Sequence, residues 1–312
     1  MTATRTIAPI TALDFACDLD LSHDELRSLL DLAGEVKRHR REFRNELEGQ
    51  SAALLFEKPS LRTRLTFELA VQQLGGTVVS CEGPIGGREP VKDVARNLER
   101  WVNVIVARTF KQDTIDELAR WSSVPVVNAL SDLYHPCQAL ADMLTLREHL
   151  GDDLRGYKLA FVGDGNNVAH SLMLCAARLG LDCAIATPFG YEPNPFIVSQ
   201  AESLAALSGS RLLLTHDCAE AVDGAHAVYT DVWASMGQES QAPERRRLFA
   251  EYQLNDDLLS LAPGALVMHC LPAKRGEEIT DSVMESPRSI AFDQAENRLH
   301  AQKALLLMLL AA

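Results

Sequence analysis

Phe56-Glu57-Lys58-Pro59-Ser60-Leu61-Arg62-Thr63-Arg64 joins a hydrophobic strand, Ala52 to Phe56, to an apolar-periodic helix that opens on a serine and ends at Gly75-Gly76. Strand, short turn, serine-capped helix is the first half of a βα unit. Two arginines and a threonine in the first helical turn give that unit a chemistry. Free backbone N–H groups and the positive end of the helix dipole attract an anion there. Hydroxyls and guanidinium forks add directed, charge-assisted hydrogen bonds. Two readings stand at this point: a phosphate cradle, or an ordinary Ser60 N-cap with Arg62 and Arg64 as solvated charges.

Working outward, short aliphatic runs alternate with helical patterns along the chain. Candidate strands are Ala52–Phe56, Thr77–Ser80, Val102–Ala107 and Val124–Val127, then Leu159–Val162, Ala184–Ala186, Leu212–Leu214, Ala227–Tyr229 and Leu266–Met268. Near-continuous apolar strands separated by helices predict an α/β fold with parallel sheets covered on both faces. A chain of 312 residues is long for one core, so two domains are expected, each a parallel β-sheet flanked by helices. A helix around Gln138 to Leu150 bridges them. The boundary is set at Gly151-Asp152-Asp153, giving a first domain of residues 1–150 and a second of 151–290. The last helix, within 294–312, is expected to pack back on the first domain.

Composition excludes several classes. The formal net charge of −13 argues against non-specific nucleic-acid binding. No basic start precedes an apolar run, and the longest apolar stretch, Ala304 to Ala312, is far short of the ~20 residues that span a bilayer. A soluble protein with no membrane partner is expected. Cys17, Cys81, Cys137, Cys175, Cys183, Cys218 and Cys270 are scattered, with no C-x-x-C pair. That predicts reduced thiols in a cytoplasm and no cysteine zinc site.

Functional residues of open α/β sheets gather at the carboxyl ends of strands. There stand Arg108-Thr109-Phe110 and His135-Pro136-Cys137-Gln138 in the first half. In the second half stand Gly163-Asp164-Gly165-Asn166-Asn167, Asp231 to Gly237, and His269-Cys270-Leu271-Pro272. His135 and Gln138 share a helical turn and suit a carbonyl and an amide; the plain alternative is a histidine opening a structural helix. Asn167, Asp231 and Ser235 suit an amino acid; helix caps are the alternative. Cys270 is either a buried structural thiol or an active-site one. Gly163-Asp164-Gly165 resembles a dinucleotide turn, but Val168 stands where the third glycine belongs. A nicotinamide-dependent oxidoreductase, the rival of a different class, therefore fits less well.

Ser60-Leu61-Arg62-Thr63-Arg64, His135-Pro136-Cys137-Gln138, Asp231…Ser235-Met236-Gly237 and His269-Cys270-Leu271-Pro272 resemble the signatures of the aspartate/ornithine carbamoyltransferase family, on its ornithine branch. The resemblance runs from about residue 50 to the end and includes Phe292 to Arg298. It implies transfer of a carbamoyl group from carbamoyl phosphate to the δ-amino group of L-ornithine, in arginine synthesis or breakdown, without cofactor or metal. It implies that Ser60, Leu61, Arg62, Thr63 and Arg108 bind the phosphate. It further implies that Arg108, His135 and Thr63 polarise the carbonyl, and that Gln138, the Leu271 carbonyl and Arg298 hold the carbamoyl group. Asn167, Asp231, Ser235 and Met236 would bind ornithine, with Cys270 beside the δ-amine and a cis Leu271–Pro272 bond. A homotrimer, or a multiple of trimers, is also implied. In the family a Gly-Arg-Gly-Glu-type loop reaches a neighbouring site. Here the segment is Gly86-Gly87-Arg88-Glu89-Pro90, whose proline stiffens the loop or opens the next helix.

Overall fold

A computed structural model of the chain describes residues 7–234 and 239–310. Its elements in order are α1 (His23–Arg38), β1 (Ser51–Phe56), α2 (Leu61–Gln73), β2 (Thr77–Glu82), α3 (Val91–Leu98), β3 (Val104–Arg108), α4 (Gln112–Trp121), β4 (Val126–Leu130) and α5 (Pro136–Leu150). They continue with β5 (Lys158–Val162), α6 (Asn167–Leu179), β6 (Asp182–Ala186), α7 (Pro195–Ser208), β7 (Leu212–Thr215), α8 (Cys218–Val222), β8 (Ala227–Thr230), α9 (Ala242–Leu248), α10 (Asp256–Ser260), β9 (Leu266–His269), α11 (Asp281–Met284) and α12 (Ala291–Leu310). The α/β alternation read from the sequence is what forms.

The chain divides into two compact units, Met1–Leu144 with Asn297–Ala312, and Thr145–Glu296. The divisions fall inside α5 and inside α12. The first unit holds a four-stranded sheet in the order β2-β1-β3-β4, the second a five-stranded sheet in the order β7-β6-β5-β8-β9. Every strand pairing is parallel.

Burial follows position in the sheet. Central β3 is buried at every residue, as both-face coverage requires, and so is β4 at the sheet's other edge, where Phe15 pairs with Val127. Edge strands β2 and β7 depart from the near-continuous expectation: neither has a fully buried residue, and in β2 Val79 is 61% accessible.

Local chemistry explains the element ends. α1 starts in a capping box, with Ser22 accepting from the Glu25 N–H and Glu25 reaching back to the Ser22 N–H. α2 ends where Gly75 turns at φ +92°; a Cβ there would lie 2.6 Å from the Arg44 carbonyl oxygen, so no larger residue fits. Pro90 does open a helix: it is the N-cap residue of α3. Among the described residues no helix is long and apolar enough to cross a membrane.

The sheet orders locate the functional ends. In the first sheet the chain steps outward from β1 to β2, then returns to the other side of β1 as β3. In the second it runs from β5 outward through β6 and β7, then returns beside β5 as β8. These reversals, β1/β3 and β5/β8, are the switch points where open α/β sheets place ligands.

Candidate active site

In the first unit, Ser60 is the N-cap of α2, and its Oγ accepts from the Thr63 N–H at 3.3 Å. The capping alternative is thus correct as local structure. Capping leaves the other first-turn N–H groups to point off the helix end. Thr63 is fully buried, and two guanidiniums converge on its hydroxyl: Arg108 Nη1 at 3.2 Å, from the exit of β3, and Arg298 Nη2 at 2.6 Å, from α12. Both arginines are buried. Cations held this close in a buried position repel each other and gain most from an anion.

Arg64 faces elsewhere. It pairs with Glu68 at 2.9 Å and Glu82 at 2.5 Å, and Glu68 also takes the Ser80 hydroxyl. Leu61 offers backbone only, since its side chain is 71% exposed.

His135 ends the turn after β4, and its carbonyl accepts the first bonds of α5, from the Gln138 and Ala139 N–H groups. Burial, and then the charges of Arg298 and Arg108, hold its imidazole well below the usual histidine range. At neutral pH it is an uncharged ring with one N–H to donate. Gln138 is buried and gives its Nε2 to Asp142 Oδ1 at 2.8 Å. That fixes the amide orientation, because a flipped amide would set oxygen against oxygen. Gln138 Oε1 is left as a buried acceptor with no hydrogen-bond partner among the described residues, and suits a ligand –NH2.

In the second unit, Asp231 follows β8 and is buried. Its Oδ2 accepts from Asn166 Nδ2 at 3.0 Å and its Oδ1 from the Cys270 thiol at 3.0 Å. Asn166, which the sequence reading passed over for its neighbour, caps α6 with its own Oδ1, on the N–H groups of Val168 and Ala169. Asn167 is the first residue of α6. Asn-Asn before an apolar run was the available signal: the first is the cap, the second lies in the open turn.

A buried pair behind them was also missed. Arg245 on α9 donates through Nη1 to Asp164 Oδ2 at 2.6 Å and to the Trp233 carbonyl at 2.7 Å, and its guanidinium lies over the Tyr191 ring. It ties the segment after β8 to the turn after β5. Ser235 and Met236, assigned to the amino-acid ligand, lie outside the described residues.

Cys270 and Leu271 follow β9. The Leu271–Pro272 peptide is cis. Leu271 N–H donates to His269 Nδ1 at 2.8 Å, so His269 Nε2 carries the proton and gives it to Glu278 Oε1 at 3.0 Å. Asp231, His269 and Cys270 offer metal-ligand atoms within 4.8 Å of one another. Both His269 ring nitrogens already have hydrogen-bond partners, so the trio is satisfied as a hydrogen-bonded set.

Residues 14–148 match the family model described as aspartate/ornithine carbamoyltransferase, carbamoyl-P binding domain, and residues 155–309 the model for the Asp/Orn binding domain. The chain is 51% identical over 308 residues to an ornithine carbamoyltransferase of Parafrankia sp., covering 96% of this chain and 97% of that one. It is 51% identical over 302 residues to that of Acidothermus cellulolyticus, covering 96% of each. Among solved structures, the ornithine carbamoyltransferase of Pyrococcus furiosus superposes with a TM-score of 0.92 at 46% identity, covering 98% of each chain.

Proposed function

The chain belongs to the aspartate/ornithine carbamoyltransferase family, and from that premise we propose that it transfers the carbamoyl group of carbamoyl phosphate to the δ-amine of L-ornithine, giving L-citrulline and phosphate. The observation that carries the donor half is the pair of buried guanidiniums meeting on Thr63 at the N-terminus of α2, beside a neutral His135. For the acceptor half it is the buried Asp231 carboxylate.

The phosphate sits on the first turn of α2, held by Ser60, the Leu61 backbone, Arg62, Thr63 and Arg108. Arg108, His135 and Thr63 face the carbamoyl oxygen, Gln138 Oε1 takes its –NH2, and Arg298 neutralises the same ligand. Asp231 takes ornithine's α-ammonium, with Asn167, Ser235 and the Met236 backbone on the rest of the amino-acid group and Cys270 by the δ-nitrogen.

A free alkylamine has a pKa near ~10 and must first lose a proton. The neutral nitrogen then adds to the carbonyl carbon, forming the N–C bond. Charge collects on the oxygen, where a guanidinium and a neutral imidazole N–H stabilise it as an oxyanion hole does. The C–O bond to phosphate breaks, phosphate leaves with the electron pair, and it accepts the amine proton. An uncharged His135 suits this role, since donating an N–H to an oxyanion needs no titration. Arginine synthesis or breakdown is the setting.

The outer face of α2 supports assembly. Leu61, Leu65 and Leu69 recur at helical spacing and are 71%, 46% and 41% exposed, an apolar stripe suited to a second copy of the chain. A homotrimer is the assembly inferred. Seven cysteines without disulfides favour a cytoplasmic protein.

Purified protein given carbamoyl phosphate and L-ornithine should release citrulline, and Arg62→Ala should lower kcat/KM by about 10²-fold or more. No citrulline anywhere between about pH 6 and about pH 9 contradicts the proposal.

A further inference from the structure

We propose that Glu57 is a positioning residue for carbamoyl transfer, tying the exits of three strands together and so placing Arg108; this rests on the reading of Ser60–Thr63 and Arg108 as the donor site. β2, β1 and β3 are neighbours, and Phe56 at the end of β1 is in register with Glu82 and Arg108 at the ends of the other two. Glu57 is the next residue. Its backbone N–H donates to the Arg108 carbonyl at 2.9 Å. Its Oε2 accepts from the Phe110 N–H at 2.9 Å, and its Oε1 from the Ile85 N–H at 3.0 Å.

One residue therefore holds the Arg108-Thr109-Phe110 turn at both ends and fastens the loop after β2, on which Arg88 stands. The adjacent Lys58 adds a third hold: its ammonium lies 4.7 Å from the centre of the Phe110 ring. None of the three bonds touches a ligand group. Each fixes backbone from which one is presented.

The residue type matters. A carboxylate is acceptor-only, with an oxygen for each of two N–H donors on different loops. Glutamine keeps the shape but turns an –NH2 toward one of those donors. Ile85 and Phe110 lie near the surface, so water replaces a lost bond and the fold survives. What is lost is the fixed course of the Arg108 turn. Arg108 Nη1 reaches Thr63 Oγ1 at 3.2 Å, and a misplacement of about 1 Å in such a group can cost on the order of 10²-fold.

The test is Glu57→Gln in the full chain, with Arg62→Ala alongside. In unliganded wild type, the Ile85 and Phe110 amides should be protected from hydrogen exchange. In Glu57→Gln their exchange should accelerate, and KM for carbamoyl phosphate should rise about tenfold while KM for ornithine stays within about twofold. A merely structural role would move both KM values or neither. Freely exchanging Ile85 and Phe110 amides in wild type overturn the proposal without any variant. An unchanged carbamoyl-phosphate KM in Glu57→Gln overturns it too, provided Arg62→Ala raises that KM; if neither variant raises it, the donor-site reading falls as well.

Discussion

His135 shows how one residue's environment selects its chemistry. Burial and two neighbouring guanidiniums both disfavour the imidazolium, so folding lowers its pKa well below 6.5. The sign of the linkage follows. The unfolded chain binds the proton more readily, so stability falls as pH drops below about 6.5 and is regained above it. Chemical denaturation across that range should show this loss in wild type and a smaller one in His135→Gln. The same neutrality bears on rate. His135→Ala should lower kcat by about 10²- to 10³-fold, as removal of one oxyanion donor does. A steady-state assay in which kcat is unchanged would remove His135 from the oxyanion role.

At the level of elements, much of the fold was legible. Strand–turn–helix punctuation and near-continuous aliphatic runs revealed the α/β alternation, because buried parallel strands tolerate little else. Edge strand β2 reads less clearly, since one side lacks a sheet neighbour. The candidate donor site was legible for the same local reason: Ser60 to Arg64 are contiguous, and a helix N-terminus announces an anion site within one turn. The bonds of Asn166 to Asp231, of Arg298 to Thr63 and of Arg245 to Asp164 join residues 65, 235 and 81 positions apart. Spacing along the chain carries no sign of such pairs.

Gly165 makes a related point. A Cβ there would meet Pro193 N at 2.4 Å, Glu192 C at 2.5 Å and Tyr191 O at 2.5 Å. The glycine that suggested a dinucleotide turn is needed for close packing against another loop. Gly165→Ala should destabilise by about 1–3 kcal/mol in thermal melts. It should also raise KM for ornithine while leaving that for carbamoyl phosphate unchanged. A melting temperature equal to wild type would show that the loop yields without cost.

For the whole molecule, charge and surface act together. A net charge of −13 opposes a non-specific hold on anions, so the proposed donor site relies on the local charges of Arg62, Arg108 and Arg298. The leucine stripe on α2 points to assembly. Light scattering should give a trimer or a multiple of it, and Leu65→Glu, which sets a charge in the stripe, should shift it toward monomer. A wild-type monomer at micromolar concentration would leave the stripe without that role.

Choice of acceptor amine discriminates most sharply. Initial rates at saturating carbamoyl phosphate should be compared for L-ornithine, N-acetyl-L-ornithine and putrescine. L-Ornithine should be preferred in kcat/KM by about 10²-fold or more, because a buried Asp231 left without its ammonium partner loses a charge-assisted bond. A preference for an amine lacking the free α-amino group would contradict the assignment of Asp231 and of the substrate.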